Sequence, residues 1–176
     1  MDASGDASGL RLERFADDGM IPNNRLPLLF YGAAVPVSGA SAARMEAMFA
    51  AAGWPPAWRY TVYPFHHYHS NTHEVLGIAA GTARLLLGGP EGRAFSVAAG
   101  DVIVIPAGVG HCQLQKSDDF LVVGGYPAGS PAADLMRGSA GERPEADLRI
   151  GEVPTPRTPR TDPVTGDDTP LARYWG

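Results

Sequence analysis

Between residues 58 and 126 apolar and polar positions alternate with a period of two, the spacing of strands that bury one face. The alternation breaks at Gly81, Gly88-Gly89-Pro90, Ala99-Gly100, Ala107-Gly108 and Ser117-Asp118, all turn-favouring residue types. It therefore predicts eight strands, over 58–64, 65–69, 73–80, 82–88, 93–98, 101–106, 111–116 and 119–126. Eight short strands with no helix among them predict an all-β sandwich or jelly roll. Upstream, 26–32 reads as a further strand, which Pro27 places at its own start or at a sheet edge. Residues 39–52 are the one good helix candidate. There Met45, Met48, Phe49 and Ala52 form an apolar stripe, Ser41 can cap the N-terminus, and Gly53 with Pro55-Pro56 stops the helix.

The flanks carry less pattern. Residues 1–20 read as a disordered tail, since they open with acids alternating with Ser, Ala and Gly. Residues 21–153 make one domain with its motif core at 58–126, and 154–176 form a Pro-rich arm. Leu171, Tyr174 and Trp175 give that arm apolar anchors, so it is expected to pack on the barrel. A helical turn broken by glycines and Pro144 is expected within 135–149, and a short strand over 149–153.

Composition narrows the function classes. The chain has 176 residues with 44% hydrophobic content, enough for a core without disulfides. Its net charge of −5 and lack of a basic cluster argue against nucleic-acid and anionic-membrane partners. The single Cys112 cannot pair internally, which suits a reducing cytoplasm, and no apolar run reaches the length of a membrane span.

The histidines change the picture most. His66, His67, His69 and His73 fall within one short stretch, and His111 stands alone downstream. On a strand, His67 and His69 share a face, while His66 and His73 are off phase and read as exposed or hydrogen-bonding supports. A register using His69 and His73 is the rival. Glu74 opens the next strand, and three imidazoles with a carboxylate suit one divalent transition metal: Fe, Mn, Ni, Zn or Cu. Strand phase then sets Phe65, Leu76, Ile78 and Gln113 around such a metal, with Tyr63 and Gln115 deeper. Tyr126 can reach the same pocket, whereas Trp54, Trp58 and Cys112 read as core residues.

The spacing also resembles the two motifs of the cupin family. The first is His67-Tyr68-His69, four residues, Glu74, six residues, Gly81. The second is Gly100, five residues, Pro106-Ala107-Gly108, two residues, His111, with Gln115 where the family usually has Asn. The glycine that usually precedes the first motif is Thr61 here. Neither departure touches a ligand position. The stretch 53–77, with Gly125-Tyr126-Pro127 and Asp162-Pro163-Val164, looks like a group of small uncharacterised bacterial cupins. The resemblance implies a jelly-roll β-barrel, the double-stranded β-helix, with His67, His69, Glu74 and His111 as metal ligands. It further implies a metal-dependent enzyme on a small molecule, with dioxygenase-type oxidoreduction favoured. A non-redox isomerase or lyase is the alternative, and a non-catalytic small-molecule or metal-binding cupin the third reading. Pairing through the edge of the 26–32 strand would make a homodimer.

Overall fold

The computed structural model describes residues 9–156, 162–167 and 170–176. Its strands are β1 (Leu10–Glu13), β2 (Leu28–Tyr31), β3 (Pro56–Tyr60), β4 (Glu74–Ala80), β5 (Thr82–Leu87), β6 (Arg93–Ala98), β7 (Val102–Ile105), β8 (His111–Lys116) and β9 (Leu121–Gly125). They form two antiparallel sheets, a large one in the order β1-β2-β7-β4-β9-β3 and a small one in the order β6-β5-β8. This is the all-β jelly roll that the period-two pattern predicts. The chain crosses between sheets at Gly81, whose φ of +71° and the 2.5 Å between a built Cβ and Ser117 Oγ leave room for glycine alone.

Alternation fills the barrel. Leu76 and Ile78 of β4, Leu85 of β5, Phe95 of β6 and Ile103 of β7 meet between the sheets. The large sheet has a second core on its outer face. There Val75, Val102 and Val104 pack beneath Met45 and Phe49 of α1 (Ala42–Ala51) and beneath Leu171 and Trp175 of α3 (Leu171–Trp175). Helix α1 starts where its cap predicts, with Ser41 Oγ accepting from Arg44 N at 3.1 Å. The C-terminal arm is fastened at two points: Trp175 Nε1 donates to the Pro27 carbonyl at 2.7 Å, and the Tyr31 hydroxyl donates to buried Asp162.

Four expectations need correction. Residues 10–13 are not tail but strand β1, because Leu10 enters the outer core and the segment pairs with β2; residues 1–8 lie outside the described residues. That pairing covers β2, which sits between β1 and β7, so the 26–32 segment offers no free edge for a homodimer. Residues 65–69 form only isolated bridges, His67 with His111 and Tyr68 with Met136, pairing with two different segments in turn. Residues 149–153 belong mostly to helix α2 (Glu145–Glu152). Its start at Pro144 suits proline, Glu145 and Asp147 lie in its first turn, and Ala146 and Ile150 pack against Ile21 and Tyr68. Part of the Pro-rich stretch, 157–161, lies outside the described residues.

Candidate metal centre

Residues 63–67 run beside β8: the Tyr63 carbonyl accepts from Gln113 N at 3.0 Å, and His67 bridges His111 through both backbone groups. Tyr63, Phe65, His67 and His69 keep one phase. The Tyr63 and Phe65 rings stack at 5.0 Å, and His67 meets them edge-on at 5.3 and 5.6 Å. Glu74 opens β4 and His111 opens β8, each at the same end of the barrel. The potential ligand nitrogens of His67, His69 and His111 all lie within 4.8 Å of one another, so this buried group can hold a metal ion. Glu74 Oε2 is 3.3 Å from His69 Nε2 and 3.1 Å from His111 Nε2.

The backbone decides what those nitrogens present. His67 Nδ1 lies 3.0 Å from the Phe65 carbonyl, His111 Nδ1 lies 3.1 Å from the Val109 carbonyl, and His69 Nδ1 meets the Asp134 carbonyl. A carbonyl only accepts, so each Nδ1 carries a proton and each Nε2 turns a lone pair towards the centre. No hydrogen bond reaches Glu74 Oε2, although it is buried. The three Nε2 atoms thus converge beside that oxygen, and the buried histidine group can hold a metal ion.

Without metal, a proton takes that place. Burial pushes His69 down, yet the Glu74 carboxylate and the Asp134 carbonyl outweigh it and lift the imidazole to about 9. Burial pushes Glu74 up, and the adjacent His69 and His111 overcome it and hold the carboxyl below the usual range. His67 goes the other way: burial, then neighbouring His111, depress it to about 3. The three imidazoles are borderline nitrogen donors, which suits a divalent transition metal.

A cavity of about 370 Å³ opens above this group. Its wall is aromatic, with Trp58 and Tyr60 from β3 joined by Tyr63 and Tyr126. Trp58 packs against Gly124, where an added Cβ would lie 2.0 Å from the indole. Its Nε1 donates to the Tyr126 hydroxyl at 3.0 Å. Burial, followed by the charge of Glu74, keeps the Tyr126 phenol well above its ordinary pKa and therefore neutral. Ala133, Asp134 and Leu135 add a further stretch of wall, clasped by the turn after His69. Asn71 Nδ2 donates to the Ala132 carbonyl at 2.8 Å, and Ser70 N donates to Asp134 Oδ1 at 2.7 Å. Ser70 Oγ also donates to Asp134 Oδ2 and accepts from Arg149 Nε at 2.7 Å.

Of the sequence-derived pocket residues, Tyr63 and Leu76 line the cavity. Phe65 sits behind Tyr63, with the Arg137 guanidinium 3.6 Å over its ring. Ile78 is too far along β4 and belongs to the barrel core. Gln113 is half-buried within β8 without reaching the cavity, and Gln115 lies in a separate groove with Thr82 and Arg84. His66 is half-buried, off phase and outside the wall, its Nδ1 without a hydrogen-bond partner. His73 points away from the cavity, but its Nδ1 accepts from Ala107 N at 2.9 Å and so braces the turn that delivers His111. Sequence reading missed Tyr60, Asp134 and Leu135, and it put Trp58 in the core. The one available signal for Trp58 was Gly124, a strand residue with no side chain to oppose a large ring.

A cupin family model matches residues 64–129, the span that carries both histidine motifs. The chain is 42% identical over 162 residues to the uncharacterized protein YjlB of Bacillus subtilis (strain 168), covering 92% of this chain and 93% of that protein. Among solved structures it is similar to a DUF861 family protein of Thermotoga maritima, with 18% identity, 46% and 86% of the two chains covered, and a TM-score of 0.33. It is also similar to an acireductone dioxygenase from Bacillus anthracis with a cadmium ion in its active centre, with 14% identity, 72% and 83% covered, and a TM-score of 0.39. Likeness at that level says nothing of chemistry. The motif span and the near full-length relative do identify the lineage: the chain belongs to the cupin superfamily.

Proposed function

We propose that the protein is a metal-dependent enzyme acting on a small molecule, of the dioxygenase type. The observation that supports this reading is the convergence of three Nε2 lone pairs and the unpartnered Glu74 oxygen at the floor of an aromatic cavity. His67, His69, His111 and Glu74 would hold one divalent ion, and open coordination positions would face the cavity. Such an ion supplies Lewis acidity, and as iron it adds redox chemistry with O₂. The chain's own part is positional. Trp58 fixes the Tyr126 hydroxyl, which stays protonated and bonds the Glu74 carboxylate, while the rings around it exclude water.

Two measurements test the reading. Protein purified without an affinity tag should contain near-stoichiometric divalent metal, and His67→Ala and His111→Ala should lose it. Unchanged metal in both variants removes the site. Iron-loaded protein should then consume O₂ when given a chelating diol or diketone. Native zinc or nickel with no O₂ uptake turns the assignment to non-redox isomerase or lyase chemistry.

A further inference from the structure

We infer that the substrate is a compound with an apolar aromatic face and one chelating oxygen pair, and that it carries no further carboxylate or phosphate. The inference rests on the metal-centred reading above and adds the substrate's charge and shape to it.

Charge counting carries the argument. Two plus charges on the ion, one minus on Glu74 and three neutral imidazoles leave one net positive charge at the floor. A chelating hydroxyl that loses its proton neutralises that charge. Any second anionic group needs a cation in the wall, and no Lys or Arg lines the cavity among the described residues. The only other charged group there is Asp134, itself an anion. Two guanidiniums stand behind the wall and have partners there. Arg149 bonds Ser70 and lies 3.6 Å from Asp134 outside the wall, and Arg137 covers the far side of Phe65. A second anion would thus be desolvated among Trp58, Tyr63 and Leu76 with a carboxylate close by.

Shape agrees with charge. Trp58 packs against Gly124 and is tied to Tyr126, so it offers an anchored aromatic ring. At the mouth Tyr60 is 61% exposed and Leu135 46% exposed, an apolar rim at which such a face can enter.

The test is a binding experiment that needs no turnover. Full-length protein loaded with Zn(II) is titrated with catechol, with 3,4-dihydroxybenzoate, which adds one carboxylate to the same chelating pair, and with oxalate. The readout is indole fluorescence, with Trp58→Phe identifying the part that comes from the cavity. Catechol should bind at least about tenfold more tightly than 3,4-dihydroxybenzoate, and oxalate should not displace it. Leu135→Arg, a change at the exposed rim, should close that gap while metal content stays constant. Equal or tighter binding of either carboxylate overturns the inference, as does a gap that Leu135→Arg leaves unchanged. Metal-loaded protein that binds none of the three overturns it too, with the metal site intact. A chain that takes up no metal overturns the reading beneath it.

Discussion

The two sheets of the barrel obey different rules. Every residue of β4 but the last is buried, and all of β7 is, whereas in β5 the buried positions Ala83, Leu85 and Leu87 alternate with more open ones. The cause is the cover: α1 and α3 seal the outer face of the large sheet, and the small sheet meets solvent. A strand between two cores must be apolar in both phases, while a strand with one core must alternate. The candidate metal centre joins the two regimes. Glu74 comes from the covered sheet and His111 from the bare one, through a turn that His73 braces from the covered side. Trp175 of the cover lies 4.6 Å from the His73 ring. The cover therefore steadies a ligand on the sheet it does not touch.

The heaviest blow to this contrast is to remove the cover's anchor. Trp175→Ala should cost about 3–5 kcal/mol in a denaturant titration, as truncation of a buried aromatic does. It should also weaken metal binding by competition with a chromophoric chelator. Lost stability with unaltered affinity would reduce the Trp175–His73 contact to packing alone.

Next comes the centre itself. Stripping a metal present at a hundred times its dissociation constant removes about 2.7 kcal/mol of stability. The melting temperature should fall on chelation in the native protein and stay still in His67→Ala.

The finest comparison sets one residue from each sheet side by side. An added Cβ at Gly77, on the outer face of β4, would lie 2.6 Å from Met45 Sδ and 2.8 Å from Phe49 Cζ. Gly77→Ala should therefore destabilise by about 1–3 kcal/mol through overpacking. Arg84→Ala, outward on β5, should change stability by no more than about 0.5 kcal/mol. Similar values for the two would erase the distinction between covered and bare sheets.

What the amino-acid order reveals follows from how local each cause is. β6 and β8 occupy the predicted 93–98 and 111–116, because turn residues bracket them and alternation needs only near neighbours. The same local phase sets His67 beside His69 and brings Glu74 and His111 to one end. Trp58 escaped because the β3–β9 register shifts between Pro56 and Trp58, and a bulge reverses phase counting. Asp134 escaped for another reason: its partners His69 and Ser70 lie more than sixty residues away along the chain. The 149–153 segment misled because Arg149-Ile150-Gly151-Glu152-Val153 satisfies a two-residue period over a length too short to reject a helix.

One detail of the centre reaches beyond chemistry. All three histidine rings are held at Nδ1 by main-chain carbonyls, those of Phe65, Val109 and Asp134. A point substitution can replace a side chain, but it leaves a carbonyl in place. The orientation of the rings is thus written into the path of the backbone and sheltered from drift at the positions around it. Trp58, Tyr60 and Leu135 can vary without removing those carbonyls. A lineage with this plan can inherit the floor of its pocket unchanged and exchange the walls as new compounds come within reach.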